Sequence, residues 1–558
     1  MLSLPTSGLL LGSFFGAGIK GGVEDGADWP MCGAHPLPTP PTMRHPAVSG
    51  LLAGLGLSVL GDTASAAVTT CSPDAIATPE LLGGQVLSIT ATSEKNSGGT
   101  PSFCNVTVQY THPGQNDTLN VFVYLPASEN WNERFMGYGG GGFRMRSNDT
   151  VLAEEVAKGY AVASTDGGHD WMLESSESWA TVSPGNVNAN LLNNFAAVAL
   201  EDAALIGKAV TASFYGQEAR YSYWSGCSTG GRQGLMLAQR FPGLYDGILA
   251  TAPAINWAKF VPAEYLPQFI MNQLDVYPTS CELDAITAAA IEACDGLDGV
   301  EDGIIADPLS CKFDPLTVVG REYTCGESSS VISEGAATVV QKTWEGARTS
   351  SGNFTWYGLS PDASLAGLAN TSCVGGDCTG APFTVAEEWI KFFVKRGDPA
   401  FDITNMSHAE FDAIIHRSAN QYKSVISTDD PDLSEFKASG GKMITWHGLA
   451  DELIAPEGTV DYYEKVLGLD AAAADFYRFF KAPGVAHCYG GTGPVPTGAL
   501  DSLVSWVEGG VAPETLPASV TAGNTTRTLN LCPYPLVAAY KGGDMMAASS
   551  YECKETFA

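Results

Sequence analysis

Ser228 lies inside Gly226-Cys227-Ser228-Thr229-Gly230, and a serine in a G-x-S-x-G sequence can sit on a sharp strand-to-helix turn that exposes its hydroxyl as a nucleophile. The flanking residues suit that geometry. Tyr221 and Tyr223 alternate as in a strand, and the residues from Gly231 to Arg240 read as the opening of a helix. A turn that tight needs residues without a Cβ beside the serine. In a chain with 63 glycines, however, five matching residues are also compatible with an ordinary Gly-Ser loop. A serine hydroxyl becomes an effective nucleophile only when a histidine takes its proton and a carboxylate holds the imidazole in one tautomer. Two later segments offer these groups. Asp451 ends His447-Gly448-Leu449-Ala450-Asp451 after the apolar run Met443 to Trp446, and His487 follows the run Phe476 to Phe480. Of eight histidines, His487 alone follows a late strand, whereas His447 is too near Asp451 and precedes it. Glu452 is a second, less favoured choice of carboxylate.

The residue before the serine and the residue after the histidine are both cysteines, Cys227 and Cys488. If Ser228 and His487 come within hydrogen-bond reach, these two are near enough to bridge, stapling nucleophile to base. An acyl-transfer site also needs backbone N–H groups aimed at the developing oxyanion. One is expected from Thr229. The run Tyr138-Gly139-Gly140-Gly141-Gly142-Phe143 after a short strand is either a flexible turn or the source of the second, which we place at Gly141.

These residues need a scaffold, and the chain has the size for it: 558 residues, 45% hydrophobic and 16% charged, enough for one large core with an insertion or for two domains. The net charge of −32 argues against nucleic acid or anionic membranes as partners. Thirteen cysteines and seven N-x-S/T sequons, at Asn105, Asn116, Asn148, Asn353, Asn370, Asn405 and Asn524, point to a secretory, oxidising route and an extracellular protein. Met43-Arg44-His45, the apolar stretch from Ala47 to Leu60 and Ala64-Ser65-Ala66 have the layout of a secretory signal, so residues 1–66 are expected to be an upstream extension plus signal, and the mature chain to start near Ala67. Its removal takes Cys32 with it and leaves twelve cysteines, an even number.

Strands alternating with helices from Arg134 onward predict an α/β fold built on a parallel sheet. The helices are expected at Glu154–Lys158, Leu191–Phe214, Thr459–Leu467 and Leu500–Glu508, the last strands at Gly247–Ala252, Met443–Trp446 and Phe476–Phe480. Between about residues 254 and 440 the alternation fades and Pro, Asp and Cys accumulate, which marks an inserted lid domain; residues 67–253 and 441–558 are the catalytic domain. Asp166 and His169 come too early in the chain for catalysis and are assigned to shaping a loop or pocket rim. Within the insertion, Asp295, Asp298 and Asp302 alternate with glycines in Cys294-Asp295-Gly296-Leu297-Asp298-Gly299-Val300-Glu301-Asp302-Gly303-Ile304-Ile305. Such a loop is either an acidic solvated turn or a site for a hard cation, of which calcium best tolerates irregular oxygen ligation.

Together, G-C-S-T-G-G-R-Q, H-G-L-A-D, G-V-A-H-C and C-D-G-L-D-G-V-E-D-G-I resemble the tannase and feruloyl esterase family over roughly Cys71 to Cys553. The resemblance implies an α/β-hydrolase fold with a large inserted lid domain, and a secreted serine esterase. It implies Ser228 as nucleophile, Asp451 as orienter and His487 as base, with Cys227 bonded to Cys488. It also implies one structural calcium in the lid, on the side chains of Asp295, Asp298 and Asp302 and the backbone oxygens of Val300 and Ile304. The remaining cysteines would pair as Cys71–Cys104, Cys281–Cys294, Cys311–Cys325, Cys373–Cys378 and Cys532–Cys553. The expected partner is a phenolic ester, feruloyl before galloyl; a fold kept only for binding is a remote alternative.

Overall fold

The computed structural model describes residues 70–95, 102–170, 172, 175–375 and 377–557, so the extension and signal expected over residues 1–66 lie outside the described residues. Nine strands form the central sheet: β1 (Gln85–Glu94), β2 (Phe103–Thr111), β3 (Leu119–Pro126), β4 (Arg134–Tyr138), β5 (Ala161–Thr165), β6 (Tyr221–Cys227), β7 (Gly247–Thr251), β8 (Lys442–Gly448) and β9 (Tyr477–Ala482). Their order is β1-β2-β3-β5-β4-β6-β7-β8-β9. The first three strands and β5 pair antiparallel, and the ladder from β5 across β4, β6, β7 and β8 to β9 is parallel. Composition explains the division. In β2 every second residue is buried, as in a strand with one covered face, whereas β5 and β7 are buried throughout, as parallel strands between helices must be.

The crossover helices fall where the apolar spacing predicts, at Asp149–Ala157, Ala199–Tyr215, Thr229–Arg240, Glu457–Leu469 and Ala499–Gly509. One expectation is corrected: the segment from Leu191 to Phe214 is not a single helix. A helix over Ala189–Asn193 passes through a π-helical turn, Asn194–Val198, before Ala199–Tyr215 begins. The carbonyls of Phe195 and Ala196 in that turn accept hydrogen bonds from the Arg232 guanidinium at 3.0 and 2.9 Å. Apolar spacing cannot reveal this, because the helix reorganises around a cation from a distant segment.

The insertion divides into two differently packed parts. Residues around Met271, Leu283, Ile286, Val339, Val340 and Leu365 enclose a small core of their own. The part carrying Trp389, Phe393 and the helix His408–Ile426 instead shares the main core with Phe143, Phe195 and Trp257. All described residues fall into one compact unit.

Four of the six expected disulfides are present: Cys71–Cys104, Cys227–Cys488, Cys373–Cys378 and Cys532–Cys553. The other two exchange partners, giving Cys281–Cys325 and Cys294–Cys311. The reason is a helix. Cys281 and Cys294 stand near opposite ends of Ser280–Cys294, about 20 Å apart at 1.5 Å per residue, far beyond the reach of a disulfide. Cys281 therefore meets the hairpin strand Glu322–Cys325, and Cys294 meets the chain just beyond the acidic loop.

Candidate active site

Ser228 sits between the end of β6 and the helix Thr229–Arg240 with φ 62° and ψ −120°, a backbone conformation that costs of order 1–3 kcal/mol for a residue with a side chain. Its surroundings hold it there. Ser228 N donates to Thr251 O at 3.0 Å, and Ser228 O accepts from Arg232 N and Ala254 N. The glycines permit the close approach: a Cβ at Gly226 would stand 2.6 Å from the Gly230 backbone, and one at Gly231 only 2.4 Å from Thr251 O. Any larger residue would push the turn open.

His487 follows β9 and donates from Nδ1 to Asp451 Oδ2 at 2.8 Å. Asp451, after β8, is fully buried, yet every direction around its carboxylate is answered. Oδ1 accepts from Leu453 N at 2.9 Å and Ile454 N at 2.8 Å, while Oδ2 also accepts from His447 Nε2 at 3.0 Å. Burial alone would raise its pKa; the charge of His487 and the hydrogen bonds from both histidines override burial and hold the carboxyl well below the usual carboxylate range. For His487 the balance is reversed. Burial disfavours the imidazolium, but the Asp451 charge and hydrogen bond outweigh it and raise the ring above its ordinary 6.5, with Glu452 adding to the effect. Glu452 is not the orienting carboxylate: its Oε2 accepts from the backbone N of His487 at 2.9 Å and so fixes that loop.

The Cys227–Cys488 disulfide, with a Cα separation of 5.9 Å, ties the serine turn directly to the histidine loop. Ser228 and His487 line one pocket together with Gly142, Thr229, Trp257 and Phe383. In the glycine run, Gly139 N is committed to Ser225 O, and Gly140 N to Gln233 Oε1. Gly141 has open space where a Cβ would stand, and Gly142 accepts from the Thr229 hydroxyl at 2.7 Å. The Thr229 amide stands at the N-terminus of the serine helix, where the helix dipole favours negative charge.

Asp166 and His169 shape the neighbouring loop, as expected. Asp166 accepts from Asn120 N, Asn120 Nδ2 and Gly168 N, and His169 donates to Phe143 O and stacks on Trp179. Two residues go unidentified in the sequence alone. His447 is completely buried; its Nε2–H serves Asp451 and its Nδ1 accepts from Thr459 Oγ1 at 2.8 Å. The four-residue spacing from Asp451 that counts against it as a base is what brings it onto the carboxylate. Arg232 is buried beneath the elbow, spreads over the rings of Phe195 and Trp257, and braces the serine helix against the π turn.

In the acidic loop, Asp295 closes the turn by accepting from the backbone N of Asp302 at 3.0 Å and of Gly303 at 2.9 Å, and more weakly from Ile304. Asp298 Oδ1 accepts from Val300 N, and Asp302 forms an ion pair with the Arg527 guanidinium. Burial, with Asp302 and Asp295 nearby, pushes the Asp298 carboxyl up to about 6. Among the described residues no group of three or more His, Cys, Asp and Glu side chains gathers in metal-holding geometry. The donors on this loop are all oxygen, the chemistry a hard cation takes. No helix among the described residues is long and apolar enough to cross a membrane.

The model of the tannase and feruloyl esterase family matches residues 104–554. A probable feruloyl esterase of Arthroderma benhamiae is 40% identical over 498 residues, covering 86% of this chain and 93% of its own. A tannase of Aspergillus oryzae is 31% identical over 510 residues, covering 81% of this chain and 85% of its own. The solved structure of a tannin acyl hydrolase from Aspergillus niger superposes with a TM-score of 0.78 at 29% identity, over 86% of this chain and 94% of that one. With a serine elbow, a buried carboxylate–histidine pair and these relatives, the chain belongs to the tannase and feruloyl esterase family and is a carboxylic ester hydrolase.

Proposed function

We propose that the protein is a secreted esterase that cleaves esters of phenolic acids through an acyl-enzyme, with Ser228 as nucleophile, His487 as acid and base, and Asp451 as orienter. One observation carries the assignment of roles: Ser228 on its strained turn and His487 on its Asp451 partner are tied by Cys227–Cys488 and open into the same aromatic-walled pocket. His487, with Nδ1 donating to Asp451, offers Nε2 to the serine proton. Ser228 Oγ then attacks the ester carbonyl, and the oxyanion is held by the amides of Thr229 and Gly141, with Gly142 beside them. His487 returns the proton to the leaving alcohol, and water repeats the sequence on the acyl-enzyme. Replacement of Ser228 by Ala is expected to lower kcat by about 10⁶-fold, measured on methyl ferulate; retained activity would refute the assignment, as would failure of the wild type to label with a fluorophosphonate.

For the acyl group the feruloyl ester is favoured, supported by the 40% identity to a relative named a probable feruloyl esterase, against 31% to one named a tannase. Parallel kcat/KM values on methyl ferulate and methyl gallate separate the two. Export is supported by six disulfides among the described residues.

A structural calcium on Asp295, Asp298, Asp302 and the carbonyls of Val300 and Ile304 belongs to this proposal. Its support is that burial, with neighbouring carboxylates adding to it, disfavours charge at Asp298 and Asp302, a cost that a divalent cation would relieve and that Arg527 offsets in part at Asp302. Chelation is expected to lower Tm by several degrees, calcium to restore it, and Asp298→Asn to abolish the response; an unchanged Tm on chelation removes calcium from the account.

A further inference from the structure

The pocket beside Ser228 is walled mostly by apolar groups, with one exception away from the triad. The helix Trp257–Ala263 turns Trp257, Phe260, Val261 and Glu264 toward it, residues at i, i+3, i+4 and i+7, so they form a single face running past the helix end. At the fourth place, where the pattern calls for another apolar side chain, stands a carboxyl group.

Glu264 is 7% exposed, and its Oε2 is buried with no hydrogen-bond partner. A buried carboxyl oxygen left unsatisfied is costly and rare, and calls for an explanation outside the resting fold. Burial and the nearby charge of Asp451 raise its carboxyl well above the ordinary 4.5, which favours the neutral acid. In that state it has both an O–H to give and a carbonyl oxygen to receive.

Glu264, Phe260 and Leu453 also line a second hollow of about 340 Å³ that adjoins the active-site pocket of about 260 Å³. Glu264 therefore borders both hollows. Rings such as Trp257, Phe260 and Phe383 suit the flat face of an aromatic acyl group, whereas a polyhydroxylated leaving alcohol would find few partners among them.

We propose that Glu264 is a specificity-determining residue that binds a ring hydroxyl of the aromatic acyl group, donating its carboxylic O–H to the phenolic oxygen and accepting the phenolic O–H on its other oxygen. This rests on the phenolic-ester activity proposed above. No bond is made or broken, and the proton stays on the carboxyl. The effect is on recognition, because a substrate without the hydroxyl leaves the buried group unpaired.

The test compares methyl ferulate with methyl 3-methoxycinnamate, which lacks only the 4-hydroxyl. The wild type is expected to prefer methyl ferulate by about 10-fold or more in kcat/KM, the size of effect a buried hydroxyl contact carries. In Glu264→Leu the preference should collapse to about one, with the larger loss falling on methyl ferulate. Glu264→Gln, which keeps a donor and an acceptor, should retain part of it. An undiminished preference in Glu264→Leu, or an equal fall on both esters, overturns the proposal. A wild type that cleaves both esters equally also overturns it while leaving the esterase activity standing; a wild type that cleaves neither refutes the phenolic-ester activity itself. Should Glu264→Leu fail to label with a fluorophosphonate, the wild-type preference and its partial retention in Glu264→Gln decide the matter by the same criteria.

Discussion

Two buried carboxyl groups flank the same pocket and are held in opposite states. On the loop after β8, Asp451 receives four hydrogen bonds, two from backbone amides and two from histidines, and stays ionised. At the end of the helix Trp257–Ala263, Glu264 has a buried oxygen with no hydrogen-bond partner, and burial together with the Asp451 charge raises its carboxyl well above the ordinary 4.5, favouring the neutral acid. Both are removed from water, so burial by itself does not set the charge of a carboxyl. The number of donors aimed at it does.

The largest expected consequence falls on the Asp451 side. Asp451→Asn should lower kcat by about 10⁴-fold, because the amide can favour the wrong tautomer of His487. In the wild type, kcat/KM should fall as the pH drops through a His487 value above 6.5, since the base must be neutral. In Asp451→Asn the residual activity should keep its acid limb at lower pH, because burial then acts on the imidazole without the opposing charge; a profile that does not move would break the assignment of Asp451 as the source of the raised value.

A smaller effect should appear in stability, with opposite pH trends at the two carboxyls. Asp451 has a depressed folded value, so its contribution is present above the unfolded 3.8 and is lost as the pH falls through the folded value. Asp451→Asn should therefore cost about 3–5 kcal/mol at neutral pH, and less in acid. Glu264 has a raised folded value, so its contribution is present below the unfolded 4.5 and is lost as the pH rises through the folded value. Glu264→Gln should thus gain in Tm relative to the wild type as the pH climbs above 4.5. Thermal melts at pH 3, pH 5 and pH 8 check both trends: the cost of Asp451→Asn should shrink between pH 5 and pH 3, the gain of Glu264→Gln should grow between pH 5 and pH 8, and the reverse of either would erase the distinction drawn between the two carboxyls.

Much of the candidate site is legible in the sequence because its signals are local. The G-x-S-x-G turn needs glycines at fixed offsets, and Asp451 and His487 each follow a strand that apolar spacing marks. Cys227 and Cys488 join the serine and histidine segments across 261 residues. The spacing that sets His447 aside as a base gives no sign of its contact with Asp451, which only the fold supplies. The pairing of Cys281 and Cys294 failed for a comparable reason: nearness in sequence is not nearness in space once a helix of 15 residues separates the ends.

From the amino-acid sequence alone come the α/β alternation, the candidate residues Ser228, Asp451 and His487 in their chain order, and the cysteine pair that joins the first to the last, since all of these depend on residue type and short-range spacing. Only the tertiary structure decided which carboxyl is charged, which cysteines meet within the insertion, and that Glu264 faces the pocket. Those outcomes depend on the donors, charges and walls that distant segments bring to one point. A glutamate at the end of a short helix carries no mark in the sequence of whether it will meet water, an arginine or an apolar pocket wall.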